Sequence, residues 1–369
     1  MRRAQLFCGD SREVLRQFED CSIDGCVSDP PYALVSIQRR FGAENAAPAQ
    51  GGQTGVYARA SAGFMGQNWD TGETAFDPAF WVEVWRVLKP GAHLAAFGGT
   101  RTYHRLVCAI EDAGFEIRDQ LAWVYGSGFP HSHKQTGEWD GWGTKLKPAF
   151  EPIVLARKPM DGTVAYNLAR WGVGALNIDA CRIAGEGGGV RRTGEASADR
   201  SYADRGGTNF AMKPGPRGGD ERGRWPANLI HDGSEEVVQA FPRAPGQQEA
   251  IRGDEPSRLT KNVYGAFAGS RRVPTPPRTD SGSAARFFYA AKASSAERAG
   301  SAHPTVKPVA LKQWLCRMIA PPGAVILDPF AGTGTTGEAA VREGQHALLI
   351  EREPRYCADI ERRLARAAA

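Results

Sequence analysis

Ala324-Val325-Ile326-Leu327-Asp328-Pro329-Phe330-Ala331-Gly332-Thr333-Gly334-Thr335-Thr336 is the stretch whose reading settles the architecture. Four apolar residues run into an aspartate and a proline, two glycines follow one residue apart, and a helical pattern begins behind them. A short unbroken apolar run bounded by turn residues reads as a strand buried on both faces, the kind found in parallel sheets. Gly332 and Gly334 let the backbone turn sharply and come close to a ligand, at a helix start that favours polar or anionic groups. Outward from there, near the other end of the chain, Ile23 to Ser28 reads as another strand and stops at Asp29-Pro30-Pro31-Tyr32. Open α/β sheets keep their chemistry at the carboxyl ends of strands, so both segments point to one small-molecule site.

The remaining pattern alternates strands and helices. Leu6 to Cys8 is a strand ending in Gly9-Asp10, with Ser11 opening a helix; Asp77-Pro78 opens a helix with Phe80, Val84, Trp85 and Leu88 on one face, stopped by Pro90-Gly91. Strands are expected at His93 to Phe97, Glu116 to Tyr125, Ile153 to Ala156 and Ala347 to Glu351, and helices at Thr102 to Ala113, Val306 to Ile319, Thr335 to Glu343 and the C-terminal end. Residues 33–72 lose all periodicity and are expected to be a mobile insertion of the kind that closes over substrates. From about Asn167 to Gly282, Gly, Pro and Arg interrupt every few residues, which fits either a solvated linker or a compact irregular lobe. Trp171, Leu176, Ile178, Trp225, Leu229, Ile230, Val237, Val238 and Phe241 are apolar anchors that favour the lobe.

The chain has 369 residues and a formal charge of +5. That length allows a large core and a second lobe. Between Arg182 and Arg286 stand 17 Lys and Arg against 13 Asp and Glu, so most of the positive excess falls in one segment, a surface suited to nucleic acid. No apolar run approaches the ~18 residues of a membrane span, and Met1-Arg2-Arg3 leads into a strand without a signal-peptide stretch, so a cytoplasmic protein is expected, with no membrane partner. The seven cysteines form no Cys-x-x-Cys pair and read as reduced packing residues; with no third ligand near His131 and His133, no metal is expected.

Asp29-Pro30-Pro31-Tyr32 together with the glycine segment after Asp328 resembles the amino-group DNA methyltransferases. The catalytic-type motif precedes the cofactor-type motif, which is similar to the permuted β group, whose target-recognition domain lies between the two. The resemblance implies a doubly wound, mostly parallel Rossmann-like methyltransferase sheet with an irregular inserted recognition lobe. On that plan residues 1–166 form the catalytic half, 167–282 the lobe and 283–369 the cofactor-binding half. It implies S-adenosylmethionine as cofactor, double-stranded DNA as substrate, a role in DNA methylation of the restriction–modification type, and a homodimer as one possible assembly.

The chemistry needs these residue types. The lone pair of an exocyclic base nitrogen is delocalised into the ring, so the site must draw the amino group towards tetrahedral geometry. Asp29 supplies a carboxylate acceptor for one N–H, the Pro30 carbonyl a second acceptor, Pro31 stiffens the turn without a competing N–H, and Tyr32 offers a stacking face. Direct transfer requires no covalent intermediate, and orientation alone is worth roughly 7–11 kcal/mol. On the cofactor side the resemblance assigns Asp328, Phe330, Gly332 and Gly334 to the loop, Glu351 to the ribose hydroxyls, and Thr305 and Lys307 of His303-Pro304-Thr305-Val306-Lys307-Pro308 to the methionine end. Glu351 also fits a plain strand end, and Asp10 fits either an adenine-contacting acid or a helix cap. Tyr125 and Phe129 fit either a target-base pocket or ordinary core packing. The family tends to place Asp at the first motif position for adenine and Ser for cytosine, so Asp29 indicates adenine N6, with N4-cytosine as the alternative. RNA or protein-glutamine methylation shares the four-residue motif but not the motif order or the basic lobe, and a DNA-binding protein with a dead methyltransferase fold would not need Asp29, Tyr32, Gly332 and Gly334 intact.

Overall fold

The computed structural model describes residues 3–32, 74–129, 132–184, 223–244, 260–262, 265–267, 282–291, 297 and 306–367. The insertion expected at 33–72, Thr305, His131 and most of 185–281 lie outside them. The strands are β1 (Ala4–Cys8), β2 (Ile23–Ser28), β3 (Leu88–Phe97), β4 (Glu116–Val124), β5 (Phe150–Arg157), β6 (Leu229–His231), β7 (Thr260–Asn262), β8 (Gly265–Phe267), β9 (Tyr289–Ala290), β10 (Val325–Asp328) and β11 (His346–Glu351). Nine of them form one sheet in the order β1-β11-β10-β2-β3-β5-β4-β6-β9, while β7 and β8 pair as a separate hairpin. The first five strands of that order run parallel, β5 is antiparallel to both β3 and β4, and β6 lies parallel to β4. This is the mostly parallel α/β sheet that the sequence implied.

The helices are α1 (Ser11–Val14), α2 (Pro78–Val87), α3 (Tyr103–Asp112), α4 (Val164–Trp171), α5 (Glu235–Ala240), α6 (Val309–Ile319), α7 (Thr335–Arg342) and α8 (Pro354–Ala367). All six residues of β2 are buried, as a strand covered on both faces must be. Helix α2 starts where Asp77 accepts a hydrogen bond from the Ala79 N–H and Pro78 presets the first turn. Its Phe80, Trp81, Val84 and Val87 are buried in a core shared with Leu106 and Ile110 of α3. Pro90-Gly91, expected to precede the strand, lies inside β3, which begins at Leu88; Gly91 adopts φ +80° there, with the Asn167 side chain over its Cα.

Two compact units emerge: residues 1–181, 228–234 and 290–369 form the first, and 182–227 with 235–289 the second. Residues 167–181 and 228–234, expected in the lobe, thus belong with the sheet. Asn167 is buried with its amide donating to the carbonyls of Pro90 and Val173, Trp171 packs on the core, and β6 extends the sheet through Ala122↔Leu229 to Val124↔His231. In the second unit the backbones of Ile183 and Arg224 bond at 3.0 and 2.9 Å, and the Arg224 guanidinium lies 4.2 Å from the Phe287 ring. Cys8 and Cys357 form a disulfide with a Cα–Cα distance of 6.3 Å, which corrects the expectation of seven unpaired thiols. Register brings Cys8 opposite Glu351, and α8 starts three residues later, so the two thiols converge from opposite ends of the chain. No helix among the described residues is long and apolar enough to cross a membrane.

Gly334 caps the start of α7 at φ +77°, and a Cβ there would meet Ile360 Cγ2 of α8 at 3.0 Å. Left-handed strain and overpacking add, so Gly334→Val is expected to lose about 2 kcal/mol or more of stability. A urea-melt midpoint matching that of the parent protein would contradict this packing account.

Candidate functional site

The carboxyl ends of β2 and β10 lie side by side because the strands pair through Ile326↔Gly25 and Leu327↔Cys26. Residues three hundred positions apart thereby share one wall. Ser28 Oγ donates to Asp328 Oδ1 at 2.6 Å, Thr336 Oγ1 donates to Asp328 Oδ2, and the Phe330 N–H donates to Oδ1 at 3.1 Å. Asp328 is buried and its carboxylate is fully engaged, so it sets the shape of the loop as well as lining the cavity. A cavity of about 450 Å³ opens at this seam, lined by Asp29, Tyr32, Glu151, Lys307, Phe330 and Glu351 among others.

At the β2 end the side chains form a charged cluster. Tyr32 Oη lies 2.8 Å from Asp29 Oδ1 and 2.9 Å from Glu151 Oε2, but its single proton can serve only one carboxylate at a time. The Lys307 ammonium donates to Asp29 Oδ2 at 2.8 Å, to Glu151 Oε2 at 3.0 Å and to Tyr32 Oη at 3.1 Å. Burial pushes the Asp29 carboxyl up, but Lys307 and Lys312 beside it win and hold it below its ordinary value. Burial likewise works against the Lys307 charge, and the Asp29 and Glu151 carboxylates outweigh it and hold the ammonium above its ordinary value. Burial, and then the same two carboxylates, push the Tyr32 phenol up, so it stays protonated. Thr102 Oγ1 donates to the Tyr32 carbonyl at 2.7 Å, and Gly99 packs under the ring with no room to spare for a Cβ, which fixes the aromatic face.

At the β10 and β11 ends, Glu351 Oε2 accepts from the Gly332 N–H and Oε1 from the Glu353 N–H, both at 2.8 Å. Gly332 takes φ +55°, which aims that N–H at the carboxylate. Burial raises the Glu351 carboxyl to about 7 despite those backbone donors. Phe330 reaches the cavity with its ring centroid 5.0 Å from that of Phe80. Asp10 caps α1 through the Arg12 N–H and pairs with the Arg12 guanidinium at 2.9 Å, and it also lines the cavity.

Most of the residues expected from sequence are thus brought together. Pro30 and Pro31 line the same wall, Gly332 does too, but Gly334 is absent from the lining and faces α8 instead. Lys307, assigned to the cofactor end, sits against Asp29 and Glu151. Tyr125 lines the cavity whereas Phe129 is 77% exposed. Sequence reasoning missed Glu151 and Lys312. Glu151 had a signal, an acid opening the apolar run of β5; Lys312 had none, since one lysine in the amphipathic α6 reads as a solvated face. Yet Lys312 is 2% exposed, its Nζ stands 4.7 Å from the Phe97 ring centroid, and it has no hydrogen-bond partner among the described residues. A buried ammonium lining a cavity in that state calls for an acceptor from a ligand.

A family profile described as DNA methylase (N6_N4_Mtase) matches residues 23–362. Over 199 residues the chain is 29% identical to the type II methyltransferase M.HindIII of Haemophilus influenzae; the match covers 47% of this chain and 64% of that protein's length. Similar solved structures include the M1.HpyAVI–SAM complex, 12% identical over 98% of this chain and 99% of that one with a TM-score of 0.41. The cytosine-N4-specific PvuII DNA methyltransferase is 15% identical over 99% of this chain and 90% of that one, with a TM-score of 0.47.

If the Glu351 carboxylate accepts ribose hydroxyls, it must be ionised to do so fully, and its free-state value of about 7 has a consequence. S-adenosylmethionine affinity should weaken by about tenfold as pH falls from 8 to 6, since binding then expels a proton. Calorimetry on Glu351→Gln should show a weaker and flatter profile; an unchanged slope would remove Glu351 from the cofactor's contacts.

Proposed function

The chain belongs to the DNA methylase family of N6/N4 methyltransferases, and from that premise we propose that it methylates the exocyclic N6 of adenine in duplex DNA with S-adenosylmethionine. The observation that carries this reading is the shared cavity: the Asp29-to-Tyr32 turn and the Asp328-to-Gly332 turn line one space, with Glu351 at the other end. The residues fit the cofactor. Glu351 offers acceptors to hydroxyls, Phe330 an apolar face, and the unpartnered Lys312 ammonium a contact for a carboxylate. When bound, S-adenosylmethionine supplies an electrophilic methyl group carried on a sulfonium.

The chain's own residues orient the acceptor. A carboxylate has about four lone-pair sites; Tyr32 and Lys307 take one on each Asp29 oxygen, which leaves room for an amino N–H. The Pro30 carbonyl is the proposed second acceptor and the Tyr32 ring the stacking face. Lys307 keeps Asp29 ionised at neutral pH, so no proton need be removed before the amino group binds. A base within a duplex cannot reach Asp29, so the target must be extruded from the stack. The Ser28 hydroxyl is committed to Asp328, which leaves Asp29 as the acceptor next to the prolines and supports adenine over N4-cytosine. The motif order supports a β-group permutation, and the basic excess of 182–286 supports DNA recognition by the second unit.

Asp29→Ala should cut methyl transfer to DNA by about 10²- to 10⁴-fold while the calorimetric affinity for S-adenosylmethionine stays within a few-fold of the parent. A comparable collapse of cofactor binding would show that Asp29 acts on the cofactor and not on the amino group.

A further inference from the structure

The connection between β4 and β5 carries the most exposed aromatic surface among the described residues. Trp139 is 56% exposed and Trp142 62%, and their rings meet edge to face with centroids 5.2 Å apart. Neither belongs to the core cluster. The tip is nevertheless built. Lys134 and Gly143 form an antiparallel bridge, the Gln135 N–H donates to the Trp142 carbonyl at 2.9 Å, and the Trp142 N–H donates to the Trp139 carbonyl at 3.0 Å. Ser132 Oγ accepts from the Thr144 N–H at 2.9 Å, and Thr144 Oγ1 accepts from the His133 N–H at 3.1 Å. Below, Gly128 lies so close to Pro148 that a Cβ would collide with the Pro148 carbonyl. The loop therefore presents two indoles on a framed support.

Its base is the cavity wall. Tyr125 on one leg and Pro148, Phe150 and Glu151 on the other line the space that holds Asp29. Lys134, Lys145 and Lys147 stand on the two legs, against Glu138 and Asp140 at the tip. Contiguous aromatic surface left in water on a folded chain marks an interaction site. Glu138 and Asp140 border Trp139 in sequence, so the cations lie below the tip on the legs, an arrangement that suits indoles meeting bases while the lysines beneath meet phosphates.

We infer that the Trp139–Trp142 tip is a duplex-DNA contact, placing an indole against the bases next to the one extruded into the cavity while the leg lysines meet phosphates. The inference rests on the DNA-methylation reading and adds a surface carried by the first unit. Aromatic wedges of this kind lower the cost of opening a base step by replacing the lost stacking.

The test uses the full chain, sheared duplex DNA of mixed sequence, and the variants Trp139→Ala, Trp142→Ala and the double change. In the parent, DNA should shield part of the tryptophan emission from iodide, and that part should vanish in the double variant. The double variant should bind the duplex at least about tenfold more weakly, with the melting temperature and S-adenosylmethionine affinity unchanged. Equal DNA affinity in parent and double variant, or unshielded emission in the parent with DNA bound, overturns the inference. So does a concentration-dependent dimer that the double variant abolishes, which would assign the tip to a second copy of the chain. A parent that binds DNA through the tip yet methylates none would sink the enzymatic reading alone.

Discussion

Two parallel strands from opposite ends of the chain, β2 and β10, lie side by side, and one buried carboxylate locks their ends together. Asp328 receives the hydroxyls of Ser28 and Thr336 and the N–H of Phe330, so the turn after β10 is pinned to the strand that delivers Asp29. Oδ1 has two of these donors and Oδ2 only the Thr336 hydroxyl, so removing that hydroxyl strips a buried oxygen of its donor, a loss of about 1–3 kcal/mol. More important is its geometric effect. The acidic turn and the glycine turn would each be an ordinary strand end alone; fastened together they line a single cavity.

Within that cavity charge is balanced before any ligand arrives. Asp29 and Glu151, both part-buried, close with the buried Lys307 around the Tyr32 hydroxyl, and Lys312 stands nearby without a hydrogen bond among the described residues. Pairing with the lysines holds the Asp29 carboxyl below its ordinary value although burial pushes it up, and its partners are already in place. Glu351 shows the opposite balance: with only backbone donors against burial, its carboxyl rises to about 7. Two carboxylates in one cavity are thus held in different protonation regimes by their neighbours.

The residues that could be read from sequence are those whose chemistry is local. Asp29 to Tyr32 and Asp328 to Gly332 stand out because both close short apolar strands, and the pair together marks one strand-end site where either alone would be an ordinary turn. The parallel sheet follows from apolar runs such as Ile326-Leu327. What could not be read depends on long-range placement. Gly334 has the same local pattern as Gly332, yet only the packing of α8 shows that it answers to Ile360. Lys307 was legible as a site residue but not as the partner of Asp29, 278 positions away. Strand β6 is three residues long, too short to show a period, and the sheet claims it only because β4 offers an open edge.

The central claim is that this cavity methylates an adenine amino group. It is tested most directly by incubating duplex DNA with the protein and S-adenosylmethionine bearing a deuterated methyl group, digesting the DNA to nucleosides and weighing them by mass spectrometry. The account predicts labelled N6-methyladenine, lost when the protein is omitted. Labelled N4-methylcytosine in its place would contradict the choice of base, and label in no nucleoside would contradict the reaction itself.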